Sequence, residues 1–88
     1  MLKIYGSMLC KDCVQCCSDL DTSGVCYEFL DFSENLLYLK EFLAIRDSSQ
    51  LFTDVKTNGS IGIPCIVGED GSVTLSWQAY VSQAGPDL

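Results

Sequence analysis

The sequence predicts an α/β domain in which a four-stranded mixed sheet is flanked by three or four helices, in the order β-α-β-α-(α)-β-β-α. Three observations lead there. Short β-rich runs alternate with segments of helical spacing through the first half of the chain. An Asp70-Gly71 pair between two apolar runs signals an antiparallel hairpin further on. The 88 residues contain no linker, internal repeat or low-complexity tract, so a single domain over 1–88 is expected.

Leu2-Lys3-Ile4-Tyr5 alternates and is rich in β formers, so it reads as a first strand ending at Gly6-Ser7. From Lys11 to about Leu20 there is no glycine or proline. Val14, Cys17 and Leu20 would line the inner side of a helix there, closed by Asp21-Thr22-Ser23-Gly24. Residues 25–30 are apolar toward both faces, the pattern of an interior parallel strand. Ser33 is the expected cap of the next helix, with Glu34 at the positive end of its dipole. Leu36, Leu39, Phe42 and Leu43 carry that helix to about Arg46. Ser48 or Ser49 would cap a further short helix bearing Phe52 and Val55 and ended by Asn58-Gly59. Residues 61–67 and 73–75 form the hairpin strands across Gly68-Glu69-Asp70-Gly71. Ser76 would cap a last helix through Trp77, Tyr80 and Val81, stopped by Gly85-Pro86.

Composition narrows the function classes. Five Lys and Arg against twelve Asp and Glu give a net charge of −7, which repels nucleic-acid phosphates and anionic membrane surfaces. Neither nucleic acid nor a membrane is an expected partner. The opening residues lack the basic and long apolar parts of a secretory leader. The apolar run at 61–67 is broken by Gly62 and Pro64 and is far too short to span a bilayer. The expected location is therefore the cytoplasm. Six cysteines would stay reduced there, which favours catalytic or metal-binding thiols over a framework of disulfides.

Four of those cysteines lie in GSMLCKDCVQCC, residues 6–17. Cys10-Lys11-Asp12-Cys13 puts a Cys-x-x-Cys after a strand and at a helix start, where free amides and aligned peptide dipoles stabilise a thiolate. Cys10 is the candidate nucleophile toward an external disulfide, and Cys13, one turn on, the candidate resolving thiol. Lys11 favours the thiolate and Asp12 opposes it. Against this reading stands packing, because free cysteine is among the most buried residue types. Cys10, Cys13 and Cys17 also share a helical face, which raises a metal-thiolate alternative with Cys16 or Cys65 as supplement. Tetrahedral zinc wants four ligands, which a single helix rarely provides. The spacing also departs from iron-sulfur runs, since Cys17 directly follows Cys16. Otherwise Cys17 packs beside Val14 and Cys16 takes a partly exposed helix position. Histidine is absent, which removes Cys-His nucleophile pairs.

The Cys-x-x-Cys at the first strand-helix junction, the run Tyr27-Glu28-Phe29-Leu30-Asp31 and Gly62-Ile63-Pro64 before the third strand together resemble the glutaredoxin family of the thioredoxin fold. The likeness spans nearly the whole chain. It is similar to small proteins described as glutaredoxin-related, and extends to the stretch LKEFLAIRD at 39–47. The resemblance implies a thioredoxin-like fold and a thiol-disulfide oxidoreductase whose Cys10 and Cys13 cycle between dithiol and disulfide. It also implies a cis Ile63-Pro64 peptide whose backbone pairs with a bound thiol substrate. Lys11, Ile63 and Pro64 are then the substrate-binding residues, with Cys17 and Cys65 as accessory thiols or buried fillers. No cofactor is required, and glutathione is a candidate co-substrate. The substrate would be a protein or small-molecule disulfide, the electron donor glutathione or a thioredoxin-reductase-type flavoenzyme. Lys11, Arg46 and Lys56 are the cations available to glutathione's carboxylates. The family usually carries Pro-Tyr between the two cysteines and often Gly-Gly after the fourth strand, where this chain has Lys11-Asp12 and Ser76-Trp77. Two rivals stay open: a metal-thiolate or iron-sulfur binding and delivery protein using Cys10, Cys13 and Cys17, and a noncatalytic partner-binding module with Trp77 at its surface.

Overall fold

Strands that are apolar on both faces need cover on both sides, and the connections between strands provide it. The computed structural model of the protein describes residues 1–84. In chain order it contains β1 (Leu2–Gly6), α1 (Lys11–Thr22), β2 (Tyr27–Asp31), α2 (Leu36–Ser48), a 3-10 turn (Gln50–Phe52), α3 (Thr53–Thr57), β3 (Cys65–Val67), β4 (Val73–Thr74) and α4 (Gln78–Ala84). The strands form a mixed sheet in the order β2-β1-β3-β4. β1 and β2 run parallel, with Ile4 beside Phe29 and Gly6 beside Asp31. β3 is antiparallel to β1, pairing Cys65 with Tyr5, and β4 is antiparallel to β3, pairing Val73 with Val67. The fold is α/β and thioredoxin-like, a four-stranded mixed sheet flanked by helices.

Alternation along the strands divides the core in two. Leu2, Ile4 and Ile66 meet Cys16 and Leu20 of α1 on one face, with Trp77, Tyr80 and Val81 packed against them. Tyr5, Leu30 and Cys65 meet Phe42 of α2 and Phe52 of the 3-10 turn on the other. Ile4, Leu20, Ile66 and Phe52 are each completely buried, and such side chains contribute about 1.5–3 kcal/mol apiece. No helix among the described residues is long and apolar enough to cross a membrane.

Several sequence expectations shift in place. β2 lies at the sheet edge and starts at Tyr27, leaving Val25 and Cys26 in the connection. It is apolar on both faces because helices cover both, and not because strands flank it. On α1 the buried face is Cys13, Cys16, Cys17 and Leu20, while Val14 is 47% exposed. Cys16 is therefore core and not a partly exposed position; the helix turns that face down because Cys13 can lie against a glycine at the end of β1. On α2, Leu36 and Leu43 are exposed and the core stripe runs through Tyr38, Leu39, Phe42 and Ile45. Asn35, not Ser33, caps this helix, accepting from the Leu37 N–H at 2.9 Å. Ser49 caps the 3-10 turn as expected. The Gly85-Pro86 stop lies outside the described residues.

Candidate active site

The C-terminal ends of β1 and β2 lie side by side, and the residues just past them are tied together. The Phe32 N–H donates to the Gly6 carbonyl at 3.0 Å. The Ser7 hydroxyl donates to the Ser33 hydroxyl at 3.1 Å, and the Met8 N–H reaches Asp31 Oδ2 at 3.4 Å. A turn closes when the Cys10 N–H donates to the Ser7 carbonyl at 3.0 Å. The chain then enters α1 with Cys10 as its N-cap, in extended backbone geometry (φ −99°, ψ 123°). The Cys10 carbonyl accepts the first helical bond from Val14 at 3.2 Å, but its side chain caps no amide. Its sulfur stands at the positive end of the helix.

Burial separates the two thiols of the motif. Cys10 is half-buried and Cys13 fully buried. The Cys13 sulfur rests over Gly6, where an added Cβ would stand 2.6 Å from it. Burial pushes the Cys13 thiol up to about 12; a hydrogen bond from the Ser7 main chain works the other way, and the charge of Cys10, a hydrogen bond to Cys10 and the charge of Cys17 add to the rise. Cys10 and Cys13 are thus neighbours. Helical geometry bears on which cysteines can pair. Residues three or four apart inside a regular helix keep their Cβ atoms about 5–6 Å apart, whereas a disulfide needs about 3.5–4.5 Å. Cys13 with Cys16 or Cys17 meets that barrier. Cys10, outside the helical backbone geometry, does not.

The other thiols are dispersed. Cys16 packs among Leu2, Ile4, Leu20 and Ile66, and burial, then the charges of Cys17 and Cys13, push it up to about 12. Cys17 is buried beside Tyr27; burial raises its pKa and a hydrogen bond with the Tyr27 hydroxyl opposes the rise. Cys65 is completely buried on the other face of the sheet, where burial alone pushes it up to about 12. Cys26 is exposed before β2, at the opposite end of the sheet from Cys10. Among the described residues, no three Cys, Asp or Glu side chains gather as a metal-holding group. The Cys10, Cys13 and Cys17 set therefore does not converge on one point within a single chain.

The Ile63-Pro64 peptide is cis and Pro64 is buried. One step beyond the Tyr5–Cys65 pair, the antiparallel register carries Pro64 alongside Gly6, the residue on which the Cys13 sulfur rests. Cys10, Cys13 and Pro64 are thereby gathered at one end of the sheet, and Lys11 is exposed at the first helical position. The Ile63 side chain turns the other way, into the cluster with Phe42 and Phe52. Arg46 donates to the Ser60 carbonyl at 2.6 Å and ties down the loop that leads to Pro64. A concavity of about 700 Å³ lies at the other end of the sheet between Val25, Cys26, Gly68 and Tyr80. Cys10 opens onto the surface instead. Sequence reasoning missed Ser7, Asp31 and Ser33. The signal that finds them is Asp31-Phe32-Ser33, an Asx-turn pattern at the carboxyl end of the strand beside the one that feeds Cys10.

Fold and site together define a thioredoxin-like α/β protein with a Cys-x-x-Cys at the N-terminus of its first helix. A protein of Haemophilus influenzae described as uncharacterized is 38% identical over 72 residues, which cover 82% of this chain and 84% of that one, and the chain belongs to its family. No family model matches the sequence. No solved structure matches it either.

Proposed function

We propose that the protein is a glutaredoxin-like thiol-disulfide oxidoreductase that reduces small-molecule or protein disulfides in the cytoplasm. One observation carries the reading: a half-buried N-cap sulfur, Cys10, with a buried thiol, Cys13, one turn further along the same helix. The chemistry takes two steps. The Cys10 thiolate attacks one sulfur of the substrate, the substrate S–S bond breaks, and the first substrate sulfur leaves as a thiolate and takes up a proton. Cys13 then gives up its proton and attacks the Cys10 sulfur; the mixed disulfide breaks and the second substrate thiolate leaves. The products are two substrate thiols and a Cys10–Cys13 disulfide. Glutathione or a thioredoxin-reductase-type flavoenzyme returns the two electrons. Lys11 at the rim and the backbone beside Pro64 are the proposed contacts for the substrate.

The test is a pair of substitutions assayed against a mixed-disulfide substrate. Cys10→Ser is expected to remove disulfide reduction, and Cys13→Ser to accumulate a covalent adduct on Cys10 visible by intact mass. Undiminished reduction by Cys10→Ser would end this reading.

A further inference from the structure

We propose that Asp31 is a positioning residue for the second chemical step: through Ser33 and Ser7 it holds the turn at 7–9, and with it Cys10, against the Cys13 sulfur on Gly6 as that sulfur attacks the mixed disulfide. The inference rests on the thiol-disulfide reading above. It adds a residue for which no contact with either reacting sulfur is found.

The hydrogen bonds run in one direction toward the carboxylate. The Leu9 N–H donates to Ser7 Oγ at 3.1 Å, the Ser7 hydroxyl donates to Ser33 Oγ at 3.1 Å, and the Ser33 hydroxyl donates to Asp31 Oδ1. Asp31 also accepts from the Ser33 N–H at 2.9 Å and the Met8 N–H at 3.4 Å. A chain of donors ending on an anion polarises along its length, and its last link is charge-assisted. The Ser33 hydroxyl, more than any other contact, holds the Asp31 carboxyl below its ordinary range, so the anchor is charged at neutral pH. Ser7 is a buried polar side chain, 6% exposed, so its hydroxyl takes partners inside the fold.

The other atoms of Ser7 give this anchoring its consequence. Its carbonyl holds the Cys10 N–H at 3.0 Å, and the residue before it, Gly6, lies under the Cys13 sulfur. Burial opposes an anion on Cys13. The placement of Cys10 matters most when Cys13 has lost its proton and is forming the bond to Cys10, while the substrate sulfur departs as a thiolate and takes a proton from solvent. Loosening the turn should therefore slow resolution. The first attack, by the more accessible Cys10, should change little.

A single-turnover reaction with dithiobis(nitrobenzoate) separates the steps, because each releases one coloured thiolate. It is run in a Cys26→Ala background, which removes the exposed thiol. In Asp31→Ala and Ser33→Ala the second phase is expected to slow about tenfold, with the first phase within about twofold of the parent. Asp31→Asn, which keeps an acceptor oxygen for the backbone donors, should fall between. An unchanged second phase in Asp31→Ala, or two phases falling in equal proportion, would overturn the proposal. If Asp31→Ala does not fold, Asp31→Asn and Ser33→Ala decide by the same criterion, since Ser33 is exposed. A parent that releases no second thiolate overturns the thiol-disulfide reading and this proposal with it, a failure distinct because it precedes any change at Asp31.

Discussion

At Gly6 an added methyl group would stand 2.6 Å from the Cys13 sulfur and 3.4 Å from the ring of Phe29. The absence of a side chain is thus what admits the Cys13 sulfur to the end of β1. Gly6→Ala must push the sulfur or the strand aside, and overpacking of this kind costs about 1–3 kcal/mol. The expected result is a lower urea midpoint and slower closure of the Cys10–Cys13 disulfide. Most of the stability loss should vanish when Gly6→Ala is made in a Cys13→Ala background, since the clashing atom is then gone. An equal loss in both backgrounds would show that the glycine serves the strand and not the thiol.

Elements differ in how openly the sequence declared them. Both thiols of the motif, the helix they start and the hairpin around Asp70-Gly71 were legible, because each rests on local chemistry: a run without helix breakers, a turn pair, a spacing of three. Burial faces were less legible. Val14 looks like core and Cys16 like surface until the sheet is present, because the face of α1 that turns down depends on where Gly6 leaves room. Asn35 displaced Ser33 as cap because Ser33 is already spent on Asp31, in a local turn, and on Ser7, 26 residues away, and the second demand is one that no short window of sequence displays. The loop before β3 shows the same dependence. Gly62 sits at φ +95°, and a Cβ there would meet the Phe52 ring at 2.8 Å and Val55 at 3.1 Å. Gly62→Ala is expected to cost more than about 1 kcal/mol through backbone geometry alone, before the clash is counted. Because this loop delivers Pro64 to the site, the same variant should lose affinity for disulfide substrate, read as a raised KM. A fully stable variant with unchanged KM would mean that the loop adapts without cost.

For the molecule as a whole, burying so many thiols sets the response to pH. Burial is the leading reason that Cys13, Cys16, Cys65 and Tyr5 are each pushed up to about 12, from ordinary values of 9.0 for the cysteines and 10.0 for the tyrosine. Cys17 and Tyr27 are raised as well. Once pH exceeds 9.0, the unfolded chain starts to lose protons that the folded chain keeps. It then binds fewer protons than the native state, so stability falls as pH rises. The contribution of these groups is complete below about pH 9 and is lost progressively toward about pH 12. Asp31 behaves oppositely: held low chiefly by the Ser33 hydroxyl, it stabilises above its ordinary 3.8 and is lost as pH falls below that. A net charge of −7 at pH 7 grows more negative on the alkaline side and adds repulsion in the same direction. The urea midpoint should therefore hold steady around neutrality and decline from about pH 9 upward. Cys65→Ala tests the cause, because it removes one buried thiol that packs on the opposite face of the sheet, with Phe42 and Phe52. It should lower the midpoint at neutral pH and make the alkaline decline shallower. A profile that stays flat to pH 11, or a Cys65→Ala slope equal to the parent's, would show that these sulfurs shed their protons in the folded state as readily as free thiols do.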